Sequence, residues 1–212
     1  MSKVICIMGE SGSGKTTSLR TLNPDETFYI DCDKKGLSWK GWREQYNKDK
    51  MNYKKTSLPN EIGKALDWVD KQNKIKYVVI DTLNSIMADD EMRRAKEKGY
   101  DKWVDLAACV WGIVTKANTY RDDLTVILLA HTQTERDESG YNFTRIKTNG
   151  KKLDKLCIES RLNCVLLSKV IDGKYVFETH SNNSTTKTPI GAFEDDVIDN
   201  DIQIVLKAMA DF

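Results

Sequence analysis

Residues 9–16, Gly-Glu-Ser-Gly-Ser-Gly-Lys-Thr, constrain the fold of this chain more than any other stretch. They fill the pattern G-x-x-x-x-G-K-S/T and follow a short apolar run, Lys3–Met8 (KVICIM), that reads as a buried parallel strand. The spacing has a physical reason. Gly9, Gly12 and Gly14 allow backbone angles that a side chain forbids, so successive N–H groups can turn toward one point. A helix running from the loop to about Leu22 is expected to add its positive end to that point. The implied ligand is a chain of phosphates. Lys15 reaches the β- and γ-phosphates, Thr16 offers a hydroxyl to Mg²⁺, and Thr17 lies near the α-phosphate. The expected nucleotide-binding segment is therefore Gly9, Glu10, Ser11, Gly12, Ser13, Gly14, Lys15, Thr16 and Thr17, with ATP and Mg²⁺ as its ligands.

Further along the chain, apolar runs alternate with helical spacing. Thr27–Ile30, Tyr77–Ile80 and Thr125–Ala130 read as buried strands. Short or amphipathic helices are expected over 36–46, 60–72 and 101–120. The pattern then changes. Asn163–Val170 and Lys174–Thr179 flank Ile171-Asp172-Gly173, where Asp-Gly signals a tight hairpin, and a last helix is expected over 200–210. This order predicts an α/β fold: a mainly parallel sheet with helices on both faces and a C-terminal antiparallel hairpin. No repeat or low-complexity linker divides the 212 residues, so residues 1–212 are expected to form one domain.

In open parallel sheets, ligands sit beyond the carboxyl ends of the strands. Asp81 ends Y-V-V-I-D and is the expected Mg²⁺ ligand together with Thr16, although an acid there also caps a helix. Asp31 and Asp33 end F-Y-I-D-C-D, and alternation puts both on one face. Asp33, the more distal, is the expected water-activating base; the alternative is a solvated acidic turn beside Lys34 and Lys35. The fourth strand ends in Ala130-His131-Thr132-Gln133, and His131 and Gln133 are expected to report on the γ-phosphate.

Taken in order, these segments resemble the RecA-like ATPase superfamily. G-E-S-G-S-G-K-T-T resembles its P-loop, F-Y-I-D-C-D the strand bearing its catalytic acid, Y-V-V-I-D-T its Walker B strand, and L-L-A-H-T-Q its sensor strand. Within the superfamily the chain is similar to bacteriophage nucleotide-binding proteins, including the Sak-type group that assists single-strand annealing. The stretch at 177–193, F-E-T-H-S-N-N-S-T-T-K-T-P-I-G-A-F, resembles that group's ending. The resemblance implies a RecA-like core, ATP hydrolysis to ADP and phosphate, single-stranded DNA as partner and assembly into a homo-oligomer. It also implies a cytoplasmic setting, that of a host bacterium if the chain is phage-encoded. Asp33 stands where Glu is usual, which implies slow turnover.

DNA would be held by the loops after the Walker B and sensor strands. Residues 91–102 carry Arg93, Arg94, Lys96, Lys98 and Lys102. Residues 141–155 carry Arg145, Lys147, Lys151, Lys152 and Lys155, with Tyr141 and Phe143 interleaved for stacking on bases. A solvated helix face is the alternative for the first stretch. Lys187, in T-T-K-T-P, is the expected trans-acting finger on a neighbour's γ-phosphate.

Composition excludes little but does so usefully. Thirty-three basic against 32 acidic residues leave a net charge of +1, so binding of any polyanion must come from local patches. No long apolar run suggests a membrane span, the five cysteines form no C-x-x-C pair, and two histidines make a zinc site an unfavoured reading. Two other functions fit the same P-loop. A small-molecule or nucleoside kinase would need a lid built from Arg136, Arg145 and Arg161, and a nucleotide-dependent adaptor or loader would hydrolyse little.

Overall fold

A computed structural model describes residues 2–99, 101–136, 140–149 and 157–212. Its parallel strands are β1 (Lys3–Gly9), β2 (Thr27–Asp31), β3 (Tyr53–Lys55), β4 (Tyr77–Asp81), β5 (Thr125–Arg136) and β7 (Cys164–Ile171), ordered β3-β2-β4-β5-β1-β7. The antiparallel strands β8 (Lys174–Glu178) and β9 (Val197–Asp199) extend the β7 edge, and β6 (Asn142–Ile146) folds back on the second half of β5. The expected α/β architecture with its C-terminal hairpin is thus present. The strand carrying the P-loop lies between β5 and β7, and β5 separates it from β4, so the tips of four different strands face one crevice.

Alternation along the strands builds two cores. Val4, Cys6 and Met8 of β1 point to one face, under α2 (Pro59–Val69), α3 (Leu83–Arg93) and α4 (Asp101–Ala117). Ile5 and Ile7 point to the other, where Leu19, Phe177 and the buried side of α5 (Ile202–Ala208) cover them. The interior strands read as continuous apolar runs because both of their faces are covered. Each fully buried aliphatic side chain contributes about 1.5–3 kcal/mol relative to exposure.

Several elements differ from expectation. The P-loop is followed by only a five-residue 3₁₀ helix, Thr17–Thr21, and not by a full α-helix to Leu22. Asn23-Pro24 stops the chain early, and a turn this short has little macrodipole to offer a phosphate. The helix expected over 36–46 contracts to α1, Trp42–Gln45, where Trp42 packs on Tyr53 and Trp39 edge-on against Tyr46. Strand β5 continues six residues past Ala130 because β6 supplies a pairing partner. The last helix is capped by Asp201, whose carboxylate accepts from the Gln203 N–H.

Candidate nucleotide site

The P-loop is held from beneath by the hairpin edge. Gly9 pairs with Ser168 of β7, and a Cβ on Gly9 would lie 2.4 Å from the Ser168 carbonyl oxygen. Close approach of two backbones, and not an unusual backbone angle, therefore requires glycine there. The Ser168 hydroxyl donates to the Ser13 carbonyl at 2.7 Å and accepts from Asn200 at 3.1 Å. Gly14 has φ +97°, and the Tyr175 ring of β8 lies where its Cβ would go, 2.8 Å from Cδ1. Loop and hairpin are in direct contact, so Tyr175 becomes part of the site.

Above the loop is a cavity of about 300 Å³, lined by Gly12, Lys15, Thr16, Lys35, Asp81 and His131 among others. Ser11, Gly14 and Thr17 also border it, whereas Gln133 and Asp33 do not, although Asp33 touches Lys35 and Thr82 of the lining. The Lys15 ammonium is buried and donates to the carbonyls of Gly9 and Glu10 at 2.8 and 2.7 Å. Burial lowers its pKa to about 8, against the opposing pull of Asp81. A buried cation short of a full counter-charge is a receptor for an anion.

Asp81 lies at the floor. Its Oδ2 accepts from the Thr16 hydroxyl at 3.0 Å and from the Tyr29 hydroxyl at 2.6 Å. Its Oδ1 is buried and accepts no hydrogen bond among the described residues. Burial raises the carboxyl pKa to about 6 in spite of these two donors. An orphaned carboxylate oxygen beside a threonine hydroxyl is an oxygen donor set suited to Mg²⁺, which takes one or two protein ligands and completes its shell with phosphate oxygens and water. Thr16 and Asp81 would hold the ion.

The two acids after β2 have separate work. Asp31 accepts from the Lys34 and Gly36 N–H groups at 2.7 and 2.9 Å and from Tyr53 at 2.5 Å, so it shapes the following turn. Asp33 accepts from Thr82 at 3.1 Å and also from Ser85 and Lys35. Burial pushes its pKa upward, but these donors outweigh it and hold the carboxyl below the usual range.

His131 pairs in register with Gly9 and borders the cavity, and burial together with the Lys15 charge lowers its pKa. Gln133 instead turns to Glu135, donating at 2.6 Å, which corrects its expected place at the γ-phosphate. Alternation keeps Gln133 on the face of His131, but two residues further along β5 it lies where β6 pairs with the strand, and Glu135 on the same face takes its amide. Sequence reasoning missed the neighbour that fixes His131. Asn84, at the start of α3, accepts from the His131 N–H at 2.6 Å and donates to the Lys147 carbonyl at 2.7 Å. Lys147 N–H donates to the His131 carbonyl at 2.7 Å, closing the clamp. Thr132 also reaches Glu10, donating at 3.1 Å, so the P-loop and sensor strand are tied directly.

The basic stretches fare less well. Arg145 is buried between Glu135 and Glu159, with N···O distances of 3.5 and 3.9 Å, and is unavailable to DNA. Arg93 pairs with Asp90, and Arg94 with Glu97 and Asp105, which is the solvated helix face. Lys102 is buried beside the Trp103 ring. Lys147 is exposed, while Lys151, Lys152 and Lys155 lie outside the described residues. Lys187 is exposed and its backbone pairs with Val165, a residue in register with Cys6, so it lies below the phosphate cavity of its own chain. The three arginines of a kinase lid are dispersed: Arg136 donates to the Gly140 carbonyl, Arg145 is buried, and Arg161 covers the Trp111 ring.

Comparison with known proteins places this site in a family. The model described as AAA domain matches residues 1–188. The chain belongs to the AAA domain family. As an AAA-type P-loop ATPase domain, it carries its nucleotide-binding loop at the end of β1. The crystal structure of a KaiC-like protein from the hyperthermophilic archaeon Pyrococcus horikoshii OT3 is similar, with 15% identity, coverage of 82% of this chain and 76% of that one, and a TM-score of 0.46. No curated protein sequence matches this AAA domain chain. No helix among its described residues is long and apolar enough to cross a membrane.

Proposed function

We propose that this AAA domain is a slow Mg²⁺-dependent ATPase of the RecA-like type whose nucleotide state biases a single-stranded DNA contact. The observation that carries the nucleotide reading is the orphaned Asp81 Oδ1 beside the Thr16 hydroxyl, at the floor of a cavity that also holds the buried Lys15 ammonium. Lys15 binds the β- and γ-phosphates, and the loop from Gly9 to Thr17 surrounds the phosphate chain. When bound, Mg²⁺ supplies positive charge to the phosphate oxygens. Asp33 accepts the proton of the attacking water. His131, beside Gly9, senses the γ-phosphate.

Slow turnover follows from Asp33 itself. Both of its oxygens already accept hydrogen bonds, and a carboxylate so stabilised is a weak base. The DNA part rests on the Asn84 clamp, which joins His131 to the exposed Lys147, and on the exposed ring of Tyr141. Annealing or recombination, in a phage setting, is the biological step favoured by the resemblance of residues 177–193. In a homo-oligomer, Lys187 would act on the neighbouring subunit. A kinase has less support, since its three candidate arginines are engaged elsewhere.

Calorimetric titration with ATP, with and without Mg²⁺, tests the nucleotide reading. Lys15→Ala is expected to lose about 100-fold in affinity, the worth of two charge-assisted hydrogen bonds of roughly 1.5 kcal/mol each. Thr16→Ala is expected to weaken the dependence on Mg²⁺. Wild-type affinity in Lys15→Ala would falsify the nucleotide reading. A mobility shift with single-stranded oligonucleotide, with and without ATP, tests the DNA reading independently; absence of any shift at low salt removes it.

A further inference from the structure

Lys34 and Lys35 look alike in sequence, but they are placed differently. The Lys34 ammonium is anchored to Asp89 of α3 at 2.8 Å. Lys35 lines the phosphate cavity together with Lys15, and its ammonium rests on Asp33 Oδ2. The backbone on both sides of Lys35 is fixed, because Asp31 accepts from the Lys34 N–H through Oδ1 and from the Gly36 N–H through Oδ2. Tyr53 secures that Oδ2 in turn, and the Trp42 ring lies against Gly36. The turn is rigid, while the Lys35 side chain is 61% exposed and free to pivot. A buried aspartate that holds two consecutive-but-one amides is thus a mount for one mobile cation at the mouth of the cavity.

We infer that Lys35 is a catalytic residue that binds the γ-phosphate and, in leaving Asp33, frees that carboxylate to act as base. The inference rests on the ATPase reading above and adds a residue to it. Lys35 and Asp33 neutralise each other, which holds the base in an inactive form. The terminal phosphate carries more negative charge than one carboxylate and draws the ammonium across the cavity. Asp33 Oδ2 is then released from the ammonium and open to a hydrogen bond from water. The water oxygen forms a bond to the γ-phosphorus, and the bond from that phosphorus to the β,γ-bridging oxygen breaks. The electron pair stays on ADP, and the water proton passes to Asp33. ADP lacks the terminal phosphate that draws Lys35 away, so the pair re-forms after phosphate leaves. Turnover is thereby confined to the triphosphate state.

The test compares ATP and ADP affinities, measured with Mg²⁺, with steady-state hydrolysis in Lys35→Met and Lys35→Arg. Lys35→Met is expected to keep ADP affinity, to lose about 10- to 100-fold in preference for ATP over ADP, and to slow hydrolysis at least as much. Lys35→Arg retains the charge and is expected to restore most of the preference, which a merely structural role would not do. Asp33→Asn is expected to bind ATP at least as tightly as wild type and to release no phosphate. An unchanged ATP-to-ADP ratio in Lys35→Met overturns the role of Lys35 alone. So does faster hydrolysis, which would make the lysine only a lock on Asp33. Failure of the wild-type chain to bind ATP is a different result, because it removes the nucleotide reading itself.

Discussion

Two buried charges near β5 are handled in opposite ways. Asp81, at the tip of β4, keeps one carboxylate oxygen without a partner among the described residues, and burial raises its pKa to about 6. Arg145, on β6, is enclosed between Glu135 and Glu159, and Glu159 also takes the Ile146 N–H at 2.9 Å and the Thr185 hydroxyl at 3.1 Å. The first charge is costly to the folded chain as it stands and suited to a cation. The second belongs to an internal network that holds β6, the 3₁₀ turn at 158–161 and the 184–186 segment together. Among the described residues, a buried charge marks a ligand site where no ion pair holds it, as at Asp81, and scaffold where opposite charges flank it, as at Arg145.

If that distinction is right, mutations at the two positions change stability with opposite sign. Arg145→Ala leaves Glu159 buried without its cation and is expected to cost about 3–5 kcal/mol in urea denaturation, the largest effect foreseen here. Below the unfolding transition it is expected to leave DNA affinity unchanged. Asp81→Asn should do the reverse. The folded pKa of about 6 lies above the ordinary value of 3.8, so the contribution of this carboxyl is present at acid pH and lost as pH rises through 6. At pH 7 the ionised group opposes folding by up to about 2–3 kcal/mol, at 1.36 kcal/mol per unit. The asparagine variant is therefore expected to melt above wild type without nucleotide, yet to gain little from Mg²⁺·ATP. A lowered melting temperature for Asp81→Asn would mean that Asp81 is scaffold too.

The same contrast predicts a pH dependence for ligand binding. A phosphate chain binds the protonated form of Lys15, whose pKa burial lowers to about 8, and Mg²⁺ binds the ionised form of Asp81, raised to about 6. Affinity for Mg²⁺·ATP is then highest between these values. It is expected to fall up to tenfold per pH unit above 8, where Lys15 must first take up a proton, and below 6, where Asp81 must first lose one. Lys15→Arg should abolish the alkaline limb and spare the acid limb. Titrations at constant ionic strength with saturating Mg²⁺ would check both.

What could be read from the sequence follows the same division. The parallel strands were legible because both faces are buried, which leaves uninterrupted apolar runs at Lys3–Met8, Tyr77–Ile80 and Thr125–Ala130. The P-loop and Asp81 were legible because spacing alone fixes their chemistry. Helix α3 was not: Ala88-Asp89-Asp90-Glu91 weakens its amphipathic pattern, and its buried Asn84 serves hydrogen bonds rather than the core. Strand β3 is three residues long and exists because β2 offers an edge. The fate of Arg145 depended on Glu159, a partner supplied by a different element. Lys35 escaped notice because its significance comes from the Asp31 mount, and alternation suggests only that Asp31 and Asp33 share a face.

The smallest expected effect lies where the two regions meet, at Lys147. Its backbone is part of the Asn84–His131 clamp, but its side chain is exposed. Charge reversal, Lys147→Glu, therefore leaves the clamp in place and alters only what the loop presents to solvent. If DNA phosphate lies there, single-strand affinity should fall about three- to tenfold and the slope of log affinity against log salt should decrease by about one, with ATP affinity unaffected. Asn84→Ala should show the complementary pattern: the Lys147 charge is retained, the tie to His131 is lost, and ATP no longer changes DNA affinity. An unaltered salt slope in Lys147→Glu would assign this lysine to solvated surface and leave the clamp as a brace of the sensor strand only. The pair of variants therefore separates contact from coupling, since the first alters the charge without the clamp and the second the clamp without the charge.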